Sequence, residues 1–168
     1  MKNIYENLQK AEHSNLHRWL LNRTLKNSIR FNKPHGFKVF SIADSELKTF
    51  APYCKKNFNH LKGIHACAIA TVGELSAGLI LMRHFSPKKY RLIMSKIEIN
   101  YHYQAKKDIF AHAMISADTK AKMLEQLNTD NKLFHEIVTN IHDTDNAQIA
   151  TVKSTWQIKS WDTVRTKV

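Results

Sequence analysis

The sequence predicts an α+β domain in which one sheet wraps one long helix, and three observations carry that reading. Ile64 to Met82 runs for about five helical turns without proline, too long for an ordinary strand. Its apolar residues, Ile64, Ile69, Val72, Leu75, Leu79 and Met82, are not confined to one stripe. Ala66, Ala68, Ala70, Gly73, Ser76, Ala77 and Gly78 keep its profile thin. Such a helix is expected to be surrounded by protein over most of its circumference. After Pro87 the period changes: Ile97, Ile99, Tyr101 and Tyr103 alternate with Lys96, Glu98, Asn100 and His102, the pattern of a strand with one buried face. Finally, the order of elements, helix, two strands, long helix and four strands with a small helical insertion, fits a sheet folded around the long helix.

The remaining elements follow from local signals. Leu8, Leu16, Trp19, Leu20, Arg23 and Leu25 recur at mixed three- and four-residue spacing. This predicts an amphipathic N-terminal helix over the first thirty residues, ended by Pro34 and Gly36. Residues 1–35 are accordingly read as a helical extension packed on a single domain of residues 36–168. Two short β-like runs, Val39 to Ile42 and Leu47 to Phe50, flank the turn-prone Asp44-Ser45. Ile109 to Ser116 reads as the neighbour of the Ile97–Tyr103 strand, joined to it through Lys106-Lys107-Asp108. A short helix is expected from Ala117 to Leu127, with Ser116 or Asp118 near its start. Leu133 to Ile141 and Ala147 to Ile158 read as strands of one hairpin, turning through residues 142–146.

Composition sets limits. A chain of 168 residues with 43% hydrophobic content can bury one core but not two. It has no uninterrupted apolar run of eighteen residues, and its N-terminus is polar, so a cytoplasmic protein without membrane attachment is expected. Cys54 and Cys67 are too few for a disulfide framework and are expected to be reduced, with Cys67 in the core. The formal charge of +12 favours an anionic partner, but the basic residues are dispersed, in Lys55-Lys56, Lys88-Lys89-Tyr90-Arg91 and Lys106-Lys107. Ten histidines occur without HExxH or paired Cys/His spacing, so no metal site is expected. The absence of GxxxxGK[ST] and GxGxxG removes support for a nucleotide-cradling enzyme.

The stretch Asn59-His60-Leu61-Lys62-Gly63-Ile64-His65-Ala66-Cys67-Ala68, followed by Glu74, carries the chemistry. Asn59 is followed seven positions later by Ala66 and then, eight positions on, by Glu74. This pattern resembles the active-site stretch of hotdog-fold thioesterases, particularly the 4-hydroxybenzoyl-CoA and phenylacetyl-CoA pathway types and the uncharacterised hotdog families beside them. The resemblance implies an antiparallel sheet around the central helix. It also implies active sites at a dimer interface, with the carboxylate supplied by the opposite protomer. Two positions depart from the pattern: Ala66 replaces a usual glycine, and Gly78 lacks a hydroxyl that some relatives carry, for which Thr71 or Ser76 could substitute.

The same spacing can be read physically. Free N–H groups at a helix start point outward at its positive end, and that of Ala66 could stabilise a thioester oxyanion. Asn59 could orient the carbonyl or the attacking water. Glu74 could act as general base or nucleophile, or could instead be a buried partner of Arg83. Eight residues at 1.5 Å rise separate Ala66 from Glu74 by about 12 Å, too far to share one carbonyl within one chain. His65 is either a carbonyl-polarising group or a helix cap. Lys88, Lys89 and Arg91 either receive the phosphates of CoA or form an exposed loop.

The expected function is therefore hydrolysis of an acyl-CoA by a homodimer or homotetramer, with no cofactor beyond the CoA of the substrate. A non-catalytic acyl-thioester binding or regulatory module ranks second. Nucleic-acid binding, with Trp19, Tyr90 or Tyr103 among basic residues, ranks third because no recognised motif supports it.

Overall fold

The computed structural model describes residues 2–165. In chain order the elements are α1 (Lys2–Lys10), α2 (Asn15–Ser28), β1 (Lys38–Ile42), β2 (Glu46–Ala51), α3 (Ala66–His84), β3 (Tyr90–Tyr101), β4 (Ile109–Met114), α4 (Ala117–Asp130), β5 (Lys132–Asp143) and β6 (Gln148–Ser160). Short 3₁₀ turns follow β2 and β6, at Lys55–Asn57 and Trp161–Thr163. The strands form one antiparallel sheet in the order β1-β2-β4-β5-β6-β3.

The small residues of α3 let the sheet close around it. A Cβ on Gly73 would lie 2.7 Å from Val152 Cγ2, and one on Gly78 would lie 2.9 Å from the Trp156 ring. Polar side chains turned toward the sheet find backbone partners: Ser76 Oγ donates to Leu47 O and Ala111 O (2.9 and 3.1 Å), and Thr49 Oγ1 donates to Val72 O (2.8 Å). By length and hydropathy α3 would suit a membrane span, yet 61% of its most apolar window is buried inside the fold. It is a core helix.

Its limits differ by two residues from the expected 64–82. Ile64 N donates to Ala105 O (2.8 Å) and the residue bridges Phe58, so the chain there is still extended and His65 becomes the N-cap. The expected N-terminal helix is two helices. Ser14 caps α2, its side chain accepting from His17 N (3.3 Å), and this fresh start breaks the periodicity. Ile4, Leu8 and Ala11 enter the same core as the sheet. Buried Arg83, near the end of α3, pairs with Glu12 and donates to Leu8 O (3.2 Å), while Gln9 Nε2 donates to Arg83 O (2.6 Å).

Three further expectations are corrected. The strand now called β3 does not neighbour β4: β3 pairs with β6, and β4 lies between β2 and β5. The intervening chain crosses the end of the sheet, with His102 N and Tyr103 N donating to Ile149 O (2.8 and 3.2 Å) and Asp108 Oδ1 accepting from Tyr53 N (2.7 Å). The apolar alternation of β3 is real, but Ile97, Tyr101 and Tyr103 are 38, 49 and 70% exposed, because β3 is an edge strand with a bulge between Met94 and Lys96. Cys67 is exposed in the first turn of α3 rather than in the core; both cysteines are free.

The other sheet edge is blocked at Val39. Asn22 of α2 pairs its carboxamide with the backbone of β1, donating to Val39 O (3.0 Å) and accepting from Val39 N (2.7 Å). In the hairpin β5–β6, Asp143 Oδ1 caps the turn by accepting from Asp145 N and Ala147 N (2.9 and 3.0 Å).

The fit of α3 to β6 makes a direct prediction. Gly73→Ala is expected to lower stability by about 1–3 kcal/mol, because overpacking against Val152 outweighs the gain in helix propensity. Urea unfolding followed by tryptophan fluorescence measures it, and an unchanged midpoint would mean that β6 can retreat.

Candidate active site

The start of α3 leaves one N–H without a partner. Cys67 N donates to His65 Nδ1 (3.0 Å), and Ala68 N and Ile69 N donate to His65 O (2.9 and 3.1 Å). Only the Ala66 N–H of this first turn is unpaired among the described residues. His65 therefore serves as the cap, and its side chain lines a cavity of about 150 Å³ with His35 and Phe58.

Asn59 shapes the loop before the helix. Its Oδ1 accepts from Leu61 N and Gly63 N (2.9 and 3.0 Å), and its own N donates to Gly63 O (2.8 Å). Lys62 adopts φ 58°, closing the turn. With Oδ1 occupied, the free part of the side chain is the Nδ2 donor, which suits a carbonyl oxygen better than a water proton. Asn59 and Ala66 line one cleft of about 300 Å³ with Tyr101 and Gln104, and the Tyr101 hydroxyl donates to Ala66 O (3.1 Å).

Glu74 faces elsewhere. It lines a larger, mostly apolar cavity of about 720 Å³, walled by α3, β3, Trp156, Trp161 and the segment after α2. No hydrogen bond or ion pair to it exists among the described residues, and Arg83, its conceivable partner, is engaged by Glu12. Burial pushes the Glu74 carboxyl above the usual carboxylate range. Gly78 lies beside it, with a Cβ there falling in ordinary contact with Glu74 Oε1 at 3.7 Å. Of the two hydroxyls considered near it, Ser76 is committed to the sheet. Thr71 lines the cavity, donating to Cys67 O (2.7 Å) while keeping lone pairs to accept.

Within one chain, then, Asn59 and Ala66 come together and Glu74 does not join them. Lys88 and Lys89 sit on an exposed loop, with Lys89 Nζ 5.2 Å from the Tyr90 ring centre. Arg91 is half-buried, donates to Gln157 Oε1 (3.0 Å), and borders the Glu74 cavity. Sequence reasoning missed the residues that close that cavity, above all Asn32, Trp156 and Trp161. Trp156 was visible only as an apolar position in a strand.

A curved antiparallel sheet around one small-residue helix defines the hotdog fold. The chain belongs to the DUF4442 family, a domain of unknown function, which it matches over residues 18–158. No curated protein matches the sequence. Among solved structures, a Pseudomonas aeruginosa protein of unknown function, described as a probable thioesterase, is 20% identical with a TM-score of 0.77, covering 83% of this chain and 94% of its own. A Staphylococcus aureus thioesterase is 17% identical, TM-score 0.64, covering 77 and 98%; separate structures carry alanine in place of a glutamine and, fifteen residues later, of a glutamate. A Haemophilus influenzae thioesterase is 13% identical, TM-score 0.61, covering 85 and 90%. At these identities the likeness establishes the fold.

The environment of Glu74 predicts a pH-dependent effect on stability. Its folded-state pKa lies above the ordinary value of 4.5. Between the two values the folded chain binds more protons than the unfolded one, so this group lowers stability as pH rises. The other titratable groups lining the cavity, Tyr90 and Arg91, are not bonded to it. Glu74→Gln is expected to raise Tm at pH 8, by about 2–4 °C for each kcal/mol relieved, and to leave it nearly unchanged at pH 4. Calorimetry at the two pH values checks this.

Proposed function

We propose that this protein hydrolyses an acyl thioester, with acyl-CoA as the substrate class, at a site shared between two chains. The observation that carries the reading is the unpaired, burial-shifted Glu74 in a large apolar cavity. A half-buried carboxylate without a partner in an apolar cavity is costly in a merely structural role. A carboxyl pushed above the usual carboxylate range by burial suits a general base. The fifteen-residue separation of Asn59 and Glu74 equals that of the glutamine and glutamate replaced in the Staphylococcus aureus thioesterase, which supports pairing an amide with a carboxylate in one reaction.

In this mechanism the acyl group occupies the 720 Å³ cavity of one chain. The thioester oxygen is held by the Ala66 N–H and Asn59 Nδ2 of the other. Glu74 takes a proton from water as the water oxygen attacks the carbonyl carbon. The oxyanion formed is stabilised by the two donors, an effect on the order of 3 kcal/mol for a well-placed one. Collapse expels the thiolate, which receives the proton from Glu74. Arg91, Lys88 and Lys89 lie together at the start of β3 and could receive the phosphates of CoA.

Pairing through β3 supports a shared site. Its outer edge has no partner strand among the described residues and exposes Ile93, Ile97 and Tyr101, whereas the β1 edge is blocked by Asn22 at Val39. A homodimer or homotetramer acting in the cytoplasm follows from the same reading.

Thiol release from acetyl-, octanoyl-, palmitoyl- and benzoyl-CoA tests the proposal. Glu74→Gln is expected to lower kcat at least about 100-fold; release from neither protein would overturn it. Subunit mixing tests the sharing. Glu74→Gln and Asn59→Ala, each nearly inactive, should together recover about one quarter of wild-type activity, because half of randomly mixed dimers carry one intact site. No recovery after confirmed exchange would place both groups in one chain's site.

A further inference from the structure

The Glu74 cavity has a direction and an end. Ala70, Glu74, Gly78 and Met82 all line it and recur at every fourth position, so it runs along one face of α3. β3 runs beside that helix in the opposite sense. The Tyr101 hydroxyl meets Ala66 O at the helix start, and the Tyr90 ring packs against Phe85 just past the helix end, their centres 6.0 Å apart. Between these limits the Trp156 ring stands against Gly78. Trp161 stands at the far end: its Nε1 donates to Pro87 O (2.9 Å) and its backbone N to Lys89 O (3.1 Å), which fixes it in the turn that follows α3. Pro87 and Trp161 both line the cavity.

This end offers hydrocarbon. The indole N–H of Trp161 is taken by Pro87 O and that of Trp156 by Ser154 Oγ (2.9 Å), so both tryptophans present ring carbons to the cavity. Leu79, Met82, Leu92 and Met94 line it beside them. Arg91 brings no charge to the interior. It donates to Gln157 Oε1 (3.0 Å), and Gln157 follows the cavity-lining Trp156 directly along β6, which puts the guanidinium on the opposite face of the sheet. Lys88 and Lys89 are exposed outside the wall.

We propose that the preferred substrate is a straight-chain aliphatic acyl thioester of medium length, about eight to twelve carbons, and that Trp161 sets the upper limit. The inference rests on the hydrolysis reading above, which puts the thioester carbonyl at Glu74. Eight residues at 1.5 Å rise place Met82 about 12 Å beyond Glu74 along the helix. An extended chain advances about 1.2 Å per bond, so about ten carbons cover that distance before they meet the indole. An acetyl group leaves the apolar end unfilled, and a benzoyl ring stops short of it. A palmitoyl chain has to fold back or displace Trp161. The residue therefore acts on the tail of the substrate and not on the reacting carbonyl.

The test measures kcat/KM of the full-length protein on acetyl-, butanoyl-, octanoyl-, decanoyl-, dodecanoyl-, palmitoyl- and benzoyl-CoA. For wild type it is expected to climb by up to about fourfold per added methylene and to fall once the chain outgrows the wall. Trp161→Ala is expected to raise the palmitoyl-to-octanoyl ratio about tenfold, and Met82→Trp, which fills the same end, to lower the dodecanoyl-to-octanoyl ratio by a similar factor. A role in folding alone would scale all substrates together and leave both ratios unmoved. A wild-type maximum at acetyl-, benzoyl- or palmitoyl-CoA, or a folded Trp161→Ala whose ratio stays within twofold, overturns the length inference and leaves hydrolysis standing. Should Trp161→Ala not fold, an unmoved ratio in Met82→Trp overturns it instead. No turnover of any probe by wild type sinks both readings.

Discussion

The closeness with which β6 can approach α3 controls the rest of the molecule. Val152 and Trp156 stand where a side chain on Gly73 or Gly78 would be, so the strand rests almost on the helix backbone. Thr49 and Ser76 tie β2 and β4 to the same helix through its carbonyls and theirs. This tight side forces the slack to the other. Between α3 and β3 the sheet stands off, and Trp156, Trp161 and the segment after α2 enclose a cavity instead of a filled core. Close packing and empty space are thus two results of one arrangement of small residues.

The polar groups divide the same way. Thr49 and Ser76, facing the tight side, donate to backbone carbonyls, and the ion pair of Arg83 with Glu12 joins α1 to the end of the helix. Glu74, facing the cavity, has no partner among the described residues. A chain selected for stability alone would place apolar side chains there, since unpaired polar groups in a low-dielectric site weaken the fold. The contrast within one helix, Ser76 satisfied and Glu74 not, is what separates architecture from chemistry.

Much of this was legible beforehand. The small residues between Ala66 and Gly78 announced a surrounded helix, and the turn-prone residues 142–146 marked the β5–β6 hairpin. The resemblance to the hotdog thioesterase stretch brought out Asn59, Ala66 and Glu74, and the helix rise added only that Ala66 and Glu74 are too far apart to share one carbonyl within a chain. The errors have one source. Alternation in β3 shows which side is apolar, not whether this chain covers it, so Ile97 and Tyr101 were assigned to a core that does not reach them. Nearness in sequence suggested that β3 and β4 are neighbours, whereas pairing with β6 is decided by the whole sheet. Asn32 gave no signal at all: an asparagine before Pro34 reads as ordinary turn chemistry, and only the folded chain shows that it lines the cavity.

The carboxamide of Asn22 on β1 has a consequence for growth. A sheet with two bare edges can add further copies at both ends without limit, as fibrils do. Asn22 occupies the backbone groups of Val39 that such an addition would need at one end. A strand added at β1 would have to displace this pairing, whereas one added at β3 would displace nothing among the described residues. One side chain on a helix outside the sheet thereby makes the two edges unequal.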